Sequence, residues 1–132
     1  MSHRVFGKSG FTLVEIMIVV AIIAMLTSIA LPSIIRARKR SQGTAIKDAL
    51  RLIDSGVDQY AIEFSVSTGV VAFGDVKRYL KPSSYLYNTG ADVLGNAFGS
   101  SYMLGGLPSI PASSYAALSD YCDDSFWSPY PH

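Results

Sequence analysis

The chain has 132 residues, 49% of them hydrophobic, and a formal net charge of +1, which suits one small unit and excludes a multidomain enzyme. The charge is unevenly placed: residues 1–40 carry a balance of +5 and residues 41–132 a balance of −4, as in a basic anchor followed by a mildly acidic exposed domain. Cys122 is the only cysteine, so an intrachain disulfide is excluded and the residue reads as a small buried apolar one.

Residues 1–10 hold Arg4 and Lys8 and show no apolar pattern. From Ile16 to Ile35 there follow twenty residues without a charge. At about 1.5 Å rise per residue, that length matches the roughly 30 Å hydrocarbon core of a bilayer. Glu15 stands at the edge of this run, where an acidic side chain costs on the order of 2 to 3 kcal/mol at mid-helix and needs a partner or water. By itself it also fits an interfacial carboxylate near the start of a plain anchor, where the helix dipole favours negative charge. An ordinary secretory signal would be cut behind the apolar region, and Ala21 and Ala24 lie too deep in the run for that.

Lys8-Ser9-Gly10-Phe11-Thr12-Leu13-Val14-Glu15 resembles the processing site of type IV pilins and of the pseudopilins of type II secretion systems. The resemblance implies leader cleavage between Gly10 and Phe11 by a prepilin peptidase, N-methylation of Phe11, and a filament-assembly role for Glu15. It also implies a helix kink at Pro32, where that family often has a proline. Physically, cleavage would create a cationic amine at Phe11 that a neighbour's Glu15 could neutralise at low dielectric.

Arg36, Arg38, Lys39 and Arg40 follow the span and outnumber the positive charges before it. A bare count would place the C-terminal side in the cytoplasm. The resemblance implies the opposite, a single-pass inner-membrane protein with a periplasmic or extracellular C-terminal domain, and that is the orientation expected. The cluster itself reads as a headgroup-level anchor; with no aromatic interleaving and an acidic domain beyond, nucleic acid is not expected.

Helical periodicity continues through Ile46, Leu50, Ile53, Val57, Tyr60 and Phe64, with charged residues between them. The spacing predicts one helix from about Phe11 to Phe64, with bending or local melting between Pro32 and Gly43. Ser65 to Gly69 closes it. The remaining sixty or so residues are too few for an independent core and are expected to pack on the helix's apolar face.

In that remainder Val70 to Phe73 reads as a strand or a packed loop, and Asp75 to Leu80 as a short helix with Val76, Tyr79 and Leu80 inward. Ser84 to Tyr87 reads as extended, Asn88 to Asn96 as turn chemistry throughout, and Ser100 to Leu104 as the best strand. Ser113 or Ser114 is expected to cap a helix through Leu118 to Tyr121. Asp92-Val93-Leu94-Gly95-Asn96 resembles a turn of major pseudopilins, with Asp92, Gly95 and Asn96 in structural roles. Asp120, Asp123 and Asp124 invite a calcium reading but lack the loop pattern for one, and the aromatic tail Phe126 to Pro131 is expected to cover the core.

No catalytic constellation can be assembled: His3 and His132 lie at the two ends, and metal-ligand spacing and phosphate-cradling glycine motifs are absent. No catalytic residues, metal or cofactor are expected. The resulting organisation is a leader (1–10), a transmembrane or filament-core helix (11–35), its amphipathic continuation (36–65) and a small globular α+β domain (66–132). The fold class is α+β and pilin-like, with a long kinked N-terminal helix packed on a short helix and a few antiparallel strands. The resemblance implies a structural filament subunit, foremost a pseudopilin of a type II secretion system and otherwise a type IV pilus or competence pilin. Its partners would be identical subunits, other pseudopilins, a prepilin peptidase, the membrane and an inner-membrane assembly platform. A single-span adaptor with a ligand- or protein-binding outer domain is the alternative of a different class.

Overall fold

The structure, a computed structural model, describes residues 10–132; all of the expected leader but Gly10 lies outside the described residues. The chain divides into two units, one ending at Ile35 and one running from Arg36 to His132. A single helix, α1 (Leu13–Phe64, 52 residues), supplies the whole helical part of the first unit and continues into the second.

In the first unit every described side chain is exposed. An 18-residue window of α1 reaches a mean hydropathy of 2.6, long and apolar enough to cross a membrane. The few hydroxyls in this stretch bond to the helix's own backbone. Thr27 Oγ1 donates to the Ile23 carbonyl, Ser28 Oγ to that of Met25 and Ser33 Oγ to that of Ala30, each at 2.8 Å. This local pairing leaves those donors satisfied without water, as a nonpolar environment demands.

The helix runs through Pro32 and Gly43 without interruption, so the expected local melting between them does not occur. Gly43 has a different task. It is buried, and a Cβ built there would lie 2.9 Å from Cys122 Sγ and 3.0 Å from Phe126 Cε1. Gly56 is likewise buried, with Val76 Cγ1 2.8 Å from its would-be Cβ. The two glycines are points of close approach for the domain's outer segments.

Between them Ile46, Leu50 and Ile53 are fully buried and Val57 nearly so, the three-and-four spacing that keeps one helix face inward. Each such side chain contributes about 1.5 to 3 kcal/mol by leaving water. The stripe fades beyond Val57, since Tyr60 is half-buried and Phe64 is 50% exposed, the two rings tilted together at 4.6 Å. Ser65 at φ +52° and Gly69 at φ +125° then turn the chain back.

β1 (Val70–Ala72) pairs antiparallel with β2 (Ser101–Met103), with Val71 opposite Tyr102. Those two residues are the buried ones of their strands. Bonds from Phe73 N to Ser100 O and from Leu104 N to Gly69 O extend the ladder at either end. The expected helix over 75–80 is split: α2 (Phe73–Val76) passes into a 3-10 turn (Lys77–Tyr79). Val76 and Leu80 point inward as expected, whereas Tyr79 is only half-buried and donates its hydroxyl to Glu63.

Two local expectations are overturned. Residues 84–87 are not extended: Ser84 caps α3 (Tyr85–Thr89) by accepting the Tyr87 amide at 3.1 Å, and Gly90 at φ +64° ends it. Capping at both ends outweighs the strand propensity of the tyrosines. Neither Ser113 nor Ser114 caps α4 (Ala112–Leu118), whose N-cap is Pro111; Ser114 lies within the helix. A last turn, α5 (Asp124–Trp127), brings Trp127 and then Tyr130 into the core with Ile110, Leu118 and Cys122. The aromatic tail therefore covers the core.

If Gly43 and Gly56 are packing contacts, Gly43→Ala and Gly56→Ala should each lower the unfolding free energy by about 1 to 3 kcal/mol. The gain in helix propensity, about 1 kcal/mol, acts the other way. Gly74→Ala, where nothing lies within 4 Å, is the control. Denaturant unfolding followed through Trp127 separates them, and equal midpoints for all three would refute the packing role.

Burial raises Tyr102 from its ordinary value to about 12. Its neutral form is thus favoured in the fold, and this contribution is complete below the unfolded value, about 10. It should be lost as pH rises from there to about 12. Unfolding midpoints between pH 8 and 12 should fall less steeply in Tyr102→Phe than in the parent chain.

Candidate assembly site at the start of the long helix

Gly10, Phe11 and Thr12 precede α1 in an open, non-helical segment. Among the described residues nothing lies within 4 Å of the position a Gly10 Cβ would take, and Phe11 is 85% exposed.

Thr12 and Glu15 fix the first turn between them. The Thr12 amide donates to Glu15 Oε2 at 2.7 Å, and the Glu15 amide donates to Thr12 Oγ1 at 3.2 Å. This reciprocal pair is a capping box, which satisfies two amide donors that helix geometry leaves without partners. Glu15 also lies in the first turn, where the helix dipole favours a negative charge. Among the described residues its carboxylate has no cationic partner; the ion pairs found are Arg51 with Asp48 and His132 with Asp124. Sequence reasoning singled out Glu15 but missed Thr12. The signal was present as Thr-x-x-Glu directly before an apolar run.

The other singled-out residues are dispersed. Pro32 lies within α1, 17 positions beyond Glu15. The three C-terminal aspartates are engaged separately: Asp123 accepts from Ser125, Asp124 from the Tyr115 hydroxyl, and Asp120 lines a cleft beside Arg36 and Arg40. The Ser125 hydrogen bond holds the exposed Asp123 carboxyl below its ordinary value, and the bond to Asp124 raises Tyr115. Among the described residues no group of three metal-ligating side chains comes together.

Asp92 is nearly fully buried and serves the turn that carries it. Its Oδ1 accepts the amides of Leu94 at 2.8 Å and Asn96 at 3.0 Å, and its Oδ2 accepts the Ser114 hydroxyl. Asn96 Nδ2 in turn donates to Ser114 Oγ at 2.8 Å, and Gly95 adopts φ +87°. A buried carboxylate with three donors is satisfied by hydrogen bonds alone. This network ties the turn to α4 and offers no free group for chemistry.

Residues 6–31 match the family described as the prokaryotic N-terminal methylation motif. The chain carries a prepilin-type N-terminus. Similar curated proteins include the type IV wide pilus major component PilA4 of Thermus thermophilus, 49% identical over 40 residues, which are 30% of either chain. They also include the type II secretion system core protein G of Pseudomonas aeruginosa, 32% identical over 56 residues, 42% of this chain and 39% of that protein. The chain thus matches about a third of the length of these relatives. No solved structure matches it. Pilin and pseudopilin families consist of structural subunits, not enzymes.

The prepilin-type N-terminus thus opens on a capping box. Thr12→Ala removes the acceptor of the Glu15 amide, and hydrogen exchange at residues 13–16 of the detergent-solubilised chain should accelerate about five-fold, whereas Thr12→Ser should exchange like the parent. Unchanged exchange in Thr12→Ala would show that the box does not hold the helix start.

Proposed function

We propose that the chain is a structural subunit of a type IV pilus-like filament, foremost a pseudopilin of a type II secretion system. In this reading a prepilin peptidase cuts between Gly10 and Phe11, Phe11 is N-methylated, and Glu15 registers each subunit against its neighbour. Pro32, which removes one helix hydrogen bond, is where α1 bends on leaving the membrane. The protein is anchored in the inner membrane by residues 11–35, with residues 36–65 continuing the helix and 66–132 forming a periplasmic or extracellular domain. Its partners are further copies, other pseudopilins, the peptidase and an assembly platform.

One observation carries this reading: the methylation motif over residues 6–31 coincides with an apolar helix whose hydrophobic window is nowhere buried among the described residues. Such a helix gains stability from lipid before assembly and from neighbouring helices after it. The turn at Asp92, Gly95 and Asn96 favours the pseudopilin subclass. A surface pilus is the second reading, favoured by the higher identity, 49%, to the wide-pilus component.

Intact mass and N-terminal sequencing of the protein from native membranes test the processing. A chain starting at methylated Phe11 is expected. One still starting near Met1, in cells with active peptidase, would favour a single-span adaptor. Glu15→Ala should still be inserted and cleaved but should yield no filament by crosslinking and electron microscopy; normal filaments would remove Glu15 from the assembly role.

A further inference from the structure

A cleft of about 450 Å³ lies within the second unit, lined by Arg36, Ala37 and Arg40 of α1 and by Asp120 and Tyr121 of the turn after α4. Arg36 and Arg40 are four positions apart and share one helix face, with the small Ala37 between them in sequence. The Arg40 guanidinium stands 5.7 Å from the centre of the Phe126 ring, which holds it in place. Asp120 brings the opposite charge to the same cleft, yet among the described residues neither arginine pairs with it, the ion pairs being Arg51 with Asp48 and His132 with Asp124. Opposite charges lining one space without neutralising each other suit a ligand that carries both signs.

We propose that this cleft binds a phosphate linked to a primary ammonium, the headgroup of an ethanolamine phospholipid. The guanidiniums of Arg36 and Arg40 take the phosphate oxygens, which their forked donors match. The Asp120 carboxylate accepts the ammonium N–H groups. A trimethylated ammonium has no such donors, and a glycerol headgroup has no cation, so the cleft selects ethanolamine over choline and glycerol lipids. The lipid source follows from the chain itself: Arg36 is joined directly to Ile35, the last residue of the exposed apolar run. This rests on the reading of that run as membrane-spanning. A basic cluster at such a point draws phosphates in general; the acidic wall makes the site selective.

The test uses the full chain in phosphatidylcholine vesicles doped with spin-labelled ethanolamine, glycerol or choline lipid, reading the motionally restricted fraction of each. Ethanolamine lipid should be held about five-fold over choline lipid, the weight of roughly one hydrogen bond from its ammonium to Asp120. Arg36→Gln should bring that preference down toward unity, and Arg36→Gln with Arg40→Gln should abolish it. Asp120→Asn should erase the preference over both choline and glycerol lipid while retaining phosphate binding. Because Arg40 also holds Phe126, Trp127 fluorescence checks the fold of the double variant, and the single variant Arg36→Gln carries the test if that fold is disturbed. Equal retention of the three lipids, or variants that behave as the parent, would overturn the proposal. Carbonate extraction reports insertion separately. If the chain is not inserted, the membrane reading fails, and O-phosphoethanolamine added to the detergent-solubilised chain decides the site. A shift of the Tyr121 resonances that is lost in Arg36→Gln would support a soluble aminophosphate at the same groups, and no shift would overturn the site altogether.

Discussion

From Phe11 to Ile35 the large apolar side chains are between 43% and 85% exposed among the described residues. A soluble monomer rarely tolerates a contiguous apolar surface of more than a few hundred Å². The backbone of this stretch is satisfied within the helix, and its hydroxyls bond to carbonyls one turn back. It is therefore equipped for an environment that offers neither water nor hydrogen-bond partners. Lipid and the flanks of other such helices both meet that description, which is why membrane insertion and helix-to-helix assembly are compatible uses of one surface.

The second unit is held by contacts that close on α1 from far along the chain. Lys47 Nζ donates to the carbonyls of Phe126 at 2.6 Å and Ser128 at 3.2 Å, and also stands over the Phe126 ring. Gly43 admits Cys122 and Phe126 to the same stretch of helix, and Ile110 N bonds to Pro131 O. Trp127 is wholly buried at the cost of leaving its Nε1 without a hydrogen bond among the described residues. That penalty, about 1 to 3 kcal/mol, is comparable to the gain from burying a large aromatic side chain. The small sheet has only three residues per strand.

The long helix, its buried stripe and the strand at 101–103 were legible because periodicity and turn residues act locally, whereas residues 70–73 stayed open between a strand and a packed loop. Ile46, Leu50, Ile53 and Val57 announce one face, and Gly69, Gly99 and Gly105 bracket the two strands. What escaped were features decided by partners distant in sequence. Gly43 reads as a weak point in a helix until Cys122 and Phe126 are seen against it. Ser114 reads as a cap until Asp92, 22 positions earlier, claims its hydroxyl. Residues 84–87 form a helix for a local reason: Ser84 and Gly90 cap it at its two ends, a pair that the extended reading left out. In the candidate site Glu15 stood out by charge, whereas Thr12 did not, although the box it completes lies within four consecutive residues.

The capping box defines what Glu15 still lacks. Oε2 is occupied by the Thr12 amide, so the hydrogen-bond demand of the carboxylate is partly met inside its own turn. Its charge is not. An amide donor offsets part of the desolvation of a carboxylate, but only a cation neutralises it. At about 4 Å a unit charge pair is worth roughly 1 kcal/mol in water and roughly 4 kcal/mol at an effective dielectric of 20. The attraction for a cation therefore grows as the surroundings of Glu15 lose water, which happens when apolar helices gather around it. Under the proposed processing each new subunit brings such a cation, the amine of Phe11, one residue before the capped turn. Both hydrogen bonds of the box lie between Thr12 and Glu15, on the C-terminal side of the proposed cut after Gly10.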